Sequence, residues 1–347
     1  MFTYNLFIIC SIVAQLRAVY NIIKPNFAYT ELQTVIKESD VMIFYPEGQN
    51  EALQRKFDSL EDVKTAMMNG TVIESKVLLC DSEHNLHVDL GIIRGMIPRE
   101  EGAIGIDDGT TRDIALISKV NKPVCFTILG FQRDDFGNTS AILSRKAVQL
   151  GCKKNYIDHL AVGDIINARV THLEKFGAFI DIGAGINALI PIDMLSVSRI
   201  NHPRERLYEG ENIKVVLRKR EPEKLTFSLK ELLGTWKENA ELFAPGETVT
   251  GTVRSIEPYG VFVELMPNLA GLAEPCDYLF EGQQVAVYIK SVLPDKMKIK
   301  LVIVEAFDEA DMAEELTYFV DSEHIDRFDY STANAPKEIS TIFMEEN

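Results

Sequence analysis

Lys175-Phe-Gly-Ala-Phe-Ile-Asp-Ile-Gly183 comes back 83 residues further on as Pro258-Tyr-Gly-Val-Phe-Val-Glu-Leu265. The likeness extends in both directions. Gly163-Asp-Ile-Ile-Asn-Ala-Arg-Val170 answers to Gly246-Glu-Thr-Val-Thr-Gly-Thr-Val253, and Gly210-Glu-Asn-Ile-Lys-Val-Val216 to Gly282-Gln-Gln-Val-Ala-Val-Tyr288. One unit has been used at least twice, and it reads as Gly, strand, turn, aromatic strand, loop, Gly, strand, strand.

Successive side chains of a strand point to opposite faces. Phe179, Asp181 and Gly183 therefore share one face, and Ile180 and Ile182 share the other. With the isoleucines in the core, Phe179 lies beside a carboxylate on the wet side, and Phe176, next to a glycine, leans over the same surface. Exposed aromatics on a β face suit stacking against unpaired bases, at roughly 1–3 kcal/mol per base. The alternative is that both rings are core. Their recurrence as Tyr259 and Phe262 favours the platform.

These units resemble the RNA-binding domain repeated in bacterial ribosomal protein S1. The likeness is carried by Gly163-Asp164, Phe176-Gly-Ala-Phe-Ile-Asp181, Ala188-Leu-Ile-Pro191 and Phe227-Ser-Leu-Lys230, in that order. The resemblance implies five-stranded OB-fold barrels that hold single-stranded RNA. It extends over about residues 42–307, and the stretch from about 45 to 146 is similar to the leading part of S1-like proteins of clostridia and their relatives.

A third copy precedes the other two. Asn69-Gly-Thr-Val-Ile-Glu-Ser-Lys-Val77 opens it, Val88-Asp-Leu-Gly91 and Gly95-Met-Ile-Pro98 match the central strands, and Ile142-Leu-Ser-Arg-Lys146 closes it. His84 and His87 stand at its aromatic positions, with Asn85-Leu86 in place of Gly-Ala, so this copy is a degenerate barrel. Cys80, His84 and His87 do not make a zinc pattern and lack a fourth ligand; no metal and no cofactor is expected.

The 347 residues, 46% hydrophobic and 25% charged, suit a chain of two or three globular domains. Five cysteines without a C-x-x-C pair argue for reduced thiols and a cytoplasmic setting. The net charge of −16 runs against RNA binding, since phosphates are held by Lys and Arg. Its distribution removes most of the conflict: from Glu305 onward there are 13 acidic and 2 basic residues, whereas 160–233 hold 11 basic against 10 acidic. There Arg199, Arg204 and Arg206, then Lys214, Arg218, Lys219, Arg220 and Lys224, form a basic excess that reads as phosphate-contacting. His172 and Lys175 join Phe176 and Phe179 as candidate RNA contacts. The last unit offers Tyr259, Phe262, Arg254 and Lys298. At the family's histidine position stand Pro191 and Glu274, and near its late-strand arginine stand Lys224 and Lys298, which lack the planar guanidinium. That places the main RNA site on the middle unit.

The expected organisation is an N-terminal extension or start-site artefact (1–41), a leader with a short helix (42–68), a degenerate S1-type domain (69–150), two S1-type domains (160–232 and 245–304) joined by a linker helix (233–244), and an acidic, partly disordered tail (305–347). Residues 306–319 read as an acidic, partly helical appendage and the remainder as largely disordered. The apolar stretch from Leu6 to Leu16 is too short for a membrane helix, which needs roughly 20 residues, and lacks the basic start of a signal peptide. Trp236 in the linker reads as a packing residue. Asp308-Glu-Ala-Asp311 resembles a helicase motif, but no phosphate-binding G-x-x-x-x-G-K-[ST] loop accompanies it.

G-x-S-x-G, H-E-x-x-H and paired-acid constellations are all missing from the sequence. The fold class expected is mainly β, with three tandem five-stranded OB barrels. The resemblance implies binding of single-stranded RNA, with mRNA the expected kind, at the small ribosomal subunit in support of translation, with no membrane or small-molecule partner and no catalysis. A second reading is an adaptor docking on a ribonuclease or RNA polymerase through its barrels and acidic tail. A third is a nuclease subunit.

Overall fold

The computed structural model describes residues 44–133, 137–222, 224–307 and 316–344. Three closed five-stranded barrels follow one another. The first comprises β1 (Ile73–Cys80), β2 (Leu86–Asp89), β3 (Arg94–Ile97), β4 (Pro123–Arg133) and β5 (Thr139–Ser144), hydrogen-bonded in the order β1-β2-β3-β5-β4. The second comprises β6 (Ile165–Glu174), β7 (Gly177–Asp181), β8 (Asn187–Pro191), β9 (Asn212–Glu221) and β10 (Lys224–Ser228). The third comprises β11 (Thr248–Glu257), β12 (Gly260–Met266), β13 (Leu269–Ala273), β14 (Gln284–Leu293) and β15 (Lys298–Ala306). Both later barrels repeat the first one's order, with the third strand parallel to the fifth in every case. This is the OB-fold architecture, three times over.

Helices fill the joints. The leader helix α1 (Leu60–Met68) starts at Ser59, whose hydroxyl accepts from the Asp62 amide, and buries Val63 and Ala66. A four-residue helix, α2 (Ile114–Ile117), lies in the long connection between β3 and β4. Helix α3 (Arg145–Asn155), capped by Ser144, buries Val148 and Cys152 in the core of the second barrel, thereby joining the first two barrels. Helix α4 (Trp236–Ala240) is set by a Thr235–Glu238 capping box. Its Trp236 is 2% exposed and packs with Leu232 and Val216 against the third core.

The first two barrels are fixed to each other by the leader. Arg145 Nε and Nη2 donate to the two carboxylate oxygens of Glu47 at 2.6 and 3.0 Å, Lys119 adds a contact at 2.8 Å, and Glu47's own amide donates to Asp181 at 2.8 Å. Gly185 is left-handed, φ +74, and packed so tightly here that a Cβ would collide with the Arg145 guanidinium and the Glu47 carboxylate. Asp181 also accepts from the Gly183 and Gly185 amides. It is 2% exposed. The wet carboxylate expected beside Phe179 is thus a buried one, because the leader's Phe44–Gly48 segment lies over its end of the strand.

The second and third barrels meet at another charged network. Glu205 and Arg206, after β8, pair with Arg254 and Glu264 of the third barrel. Asn268 completes the joint: its Oδ1 accepts from Val197 N and its Nδ2 donates to Lys230 O and Gly234 O.

Residues 316–344 differ from the expectation. The stretch after residue 319, read as largely disordered, runs as a strap over this joint. Ile165 N donates to Glu323 O and Ile325 N to Gly163 O, and the His324 ring meets Asp164 at 2.6 Å. The strap ends in a hairpin of β16 (Arg327–Asp329) and β17 (Ser340–Ile342). Phe328, Tyr330 and Phe343 are buried in the third core, and the Tyr330 hydroxyl donates to Asn268 O. Four aromatic side chains (Tyr318, Phe328, Tyr330 and Phe343) outweigh the acidic composition: each buries apolar area worth roughly 2 kcal/mol or more. The expected extension at 1–41, and residues 308–315 of the acidic, partly helical appendage expected over 306–319, lie outside the described residues.

Removing one partner of a buried pair strands the other charge, at about 3–5 kcal/mol. Glu47→Ala and Arg145→Ala are each expected to lower unfolding free energy by an amount of that order in urea titrations. A loss below about 1 kcal/mol, the scale of an exposed pair, would dismiss this joint. Its pH dependence follows from Asp181. Burial, with the Glu47 carboxylate beside it, pushes Asp181 up to about 6 from 3.8 against the pull of the backbone amides. For Glu47 burial also acts upward, but Arg145 and Lys119 outweigh it and hold the group at about 2. Stability contributed by protonated Asp181 is therefore full below pH 3.8 and lost as pH rises through about 6, while Glu47's persists down through pH 4.5 and vanishes only toward 2. Asp181→Asn is expected to remove the decline in urea midpoint between about pH 4.5 and 7; an equal decline in both proteins would refute it.

Candidate nucleic-acid interface

Strand register places one row of side chains across each barrel. In the second it runs His172, Phe179, Leu189, Thr226 across β6, β7, β8 and β10. The third repeats it as Ser255, Phe262, Leu272, Lys300. In the first, Leu79, His87, Met96 and Ile142 occupy the same places. A register shift in the opening strand of each barrel, between Val77 and Leu79, Val170 and His172, and Val253 and Ser255, precedes the row. Such a bulge sharpens local twist and re-aims the side chains after it.

The aromatics stand in matching pairs. Phe176 and Phe179 meet edge to face with ring centroids 5.8 Å apart and planes at 89°; Tyr259 and Phe262 do the same at 6.2 Å and 89°. The outer ring of each pair is open to solvent: Phe176 is 55% and Tyr259 65% exposed. The inner rings are half-buried. Gly177, between the phenylalanines, passes so close to β8 that a Cβ would strike the Ile190 carbonyl. An edge-to-face pair with one free face is a rigid surface on which a base can stack.

The candidate cations separate into two groups. Lys175, Arg199, Arg204 and Lys224 in the second barrel and Lys298 in the third are exposed, with no side-chain partner among the described residues. Lys300, absent from the sequence-derived set, lies in the aromatic row and shares the outward face of β15 with Lys298. The other group is occupied. Arg206, read as a phosphate contact, is 4% exposed and paired with Glu264, and Arg254 is clamped between Glu205 and Glu264. Arg220 donates to the carbonyls of Ile157 and Leu160 at 2.8 and 2.5 Å. Arg218 donates to Ile342 O and lies 5.6 Å from the Phe343 ring centre, under the strap. Lys219 pairs with Glu221. Arg220 and Arg218 thus serve packing against the turn at 157–160 and the strap, because barrel closure turns this part of β9 toward its neighbours and away from the aromatic row.

His172 is flanked by carboxylates, Nδ1 at 2.9 Å from Glu209 and Nε2 at 2.9 Å from Glu174. These hydrogen bonds, Glu174's first, raise its proton affinity above the ordinary histidine value. In the first barrel His87 is bound to Asp81 at 2.9 Å, and His84 adopts φ +64 near Asp113. No cluster of three metal-ligating side chains occurs among the described residues. None of the described helices is long and apolar enough to cross a membrane.

Comparison with known proteins places these features in a family. The S1 RNA binding domain profile matches residues 159–230. The small ribosomal subunit protein bS1 homolog of Bacillus subtilis is 30% identical over 317 residues, covering 85% of this chain and 72% of that protein. Small ribosomal subunit protein bS1 of Staphylococcus epidermidis is 35% identical, covering 48% of this chain and 47% of its own. That of Leuconostoc lactis is 28% identical, covering 67% and 56%. The chain thus spans about half the length of the latter two.

In an NMR titration His172 is expected to lose its proton above pH 6.5, and the Glu174→Gln/Glu209→Gln variant to bring it back to the ordinary range. The same midpoint in both proteins would show that the carboxylates do not hold the ring.

Proposed function

The chain belongs to the bS1 family of small ribosomal subunit proteins, and from that premise we propose that its barrels grip single-stranded RNA, bringing mRNA to the small ribosomal subunit and so assisting translation in the cytoplasm. The observation that carries this reading is the repetition, at one register position in two barrels, of an edge-to-face aromatic pair whose outer ring is free. Stacking on such rings is tolerant of sequence, since every base offers a flat face. Phosphates are met by Lys175, Arg199, Arg204 and Lys224 around the second face and by Lys298 and Lys300 around the third. Chain-wide charge opposes RNA, so affinity comes from these local excesses and weakens steeply with salt. The protein acts by binding alone. With residues 316–344 spent on its own barrels, the described part of the tail is not offered as a docking arm for another enzyme.

Fluorescence anisotropy of a labelled single-stranded RNA tests the reading. The intact chain is expected to bind with an affinity that falls as salt rises, and Phe176→Ala/Phe179→Ala to weaken it about tenfold or more, as the loss of one to two stacked bases requires. Equal binding by both proteins would overturn it.

A further inference from the structure

The connection between β3 and β4, residues 98–122, is far longer than the other turns of the first barrel and carries α2. It does not stand free. Together with the second barrel it encloses a cleft of about 1130 Å³, with Ile114, Ser118 and Lys122 on one wall and Arg169, Thr171 and Phe179 on the other. Phe179, the inner ring of the proposed stacking pair, thus belongs both to the exposed sheet face and to this cleft.

The cleft is positive in a negative protein. Seven Lys and Arg residues line it against five Asp and Glu residues. Lys119 and Arg145 are neutralised on Glu47, and Glu221 is paired with Lys219, which lies outside the lining. Others are engaged without loss of charge, since Arg169 donates to Gly48 O and Asn212 Oδ1, both neutral acceptors. Lys122 and Lys153, the latter on α3, are exposed and have no side-chain partner among the described residues. Ile114, 63% exposed, adds an apolar surface. The volume exceeds the roughly 300–1,000 Å³ of an ordinary small-molecule pocket. Cationic side chains, an isoleucine and an aromatic ring lining one cleft suit a polyanion with flat apolar parts.

We propose that residues 98–122 form a second wall for RNA bound to the second barrel, so that a single strand leaving the Phe176–Phe179 pair runs between the first two barrels with its phosphates against Lys122, Lys153 and Arg169. This rests on the single-stranded RNA reading given above. It makes the degenerate first barrel part of the binding site through its insertion, although its own face lacks the aromatic pair. Arg169 also serves the joint through Gly48, so strand entry and barrel docking share one side chain.

The test uses the intact chain and a labelled single-stranded RNA with 4-thiouridine at successive positions. Lys122→Glu/Lys153→Glu is expected to bind about tenfold more weakly and to reduce the salt slope by about 1.4, at roughly 0.7 per lost contact. Lys64→Glu, on α1 and outside the cleft, is expected to change affinity less than about twofold. Irradiation is expected to crosslink the RNA to the peptide spanning 111–122, and equal thermal midpoints for all variants verify folding. Unchanged affinity in Lys122→Glu/Lys153→Glu with no crosslink to 111–122, while Phe176→Ala/Phe179→Ala still loses binding, overturns the second wall and leaves the RNA reading intact. Loss in none of the variants overturns both. Displacement of the RNA by a mononucleotide at equal concentration would overturn the chain-like ligand.

Discussion

Glu47 is a carboxylate out of water between two barrels, and the geometry of the leading half of the molecule depends on its being satisfied. A lone buried carboxylate would cost several kcal/mol. Arg145 supplies the matching fork, Lys119 a second positive charge and Cys125 a backbone amide at 3.3 Å. The three groups come from α3, the β3–β4 connection and β4, so the charge can be satisfied only when those elements and the second barrel's Gly183–Gly185 turn converge. An apolar residue in its place would gain burial but not select that arrangement. The Glu205, Arg206, Arg254 and Glu264 network does the corresponding work at the other joint.

The aromatic faces inherit their position from this framework. In the second and third barrels the bulged opening strand and the close approach at the glycine aim two rings outward at one register position, and the joints decide what stands opposite. At the second barrel it is the first barrel's insertion. At the third barrel Lys300 joins the row, where the second has only Thr226. The expected ranking, with the middle barrel as the main platform, rested in part on Arg206, Arg218 and Arg220, which the structure assigns to packing; the free cations are spread over both faces.

Barrels and aromatic pairs were legible because they are local: a two-residue alternation, a glycine between rings and a repeated order of strands can be read along the chain. The fate of a charge was not. Arg206 and Arg204 look alike in sequence, yet one is buried on Glu264 and the other is exposed, since only the fold brings a carboxylate 58 residues away into contact. The strap failed for a related reason. Composition alone called it disordered, although Phe328, Tyr330 and Phe343 are spaced across a hairpin whose partner surface, the Asn268 and Trp236 region, is assembled from elsewhere. Isolated aromatics in an acidic stretch were the signal that could have found it.

The strap also orders events in time. Asp164 and His324 are 160 positions apart, and Ile165 waits for Glu323 to complete its hydrogen bond. Contacts of such separation close late, after the loop entropy between them has been overcome. On a ribosome the second barrel emerges well before residues 316–344, at about 5–20 residues per second. For several seconds, therefore, the nascent molecule has its leading joint available for assembly while Trp236 and its neighbours lack their cover. A chaperone or a premature partner would find its opening there, and the joint that matures last is the one most exposed to error during synthesis.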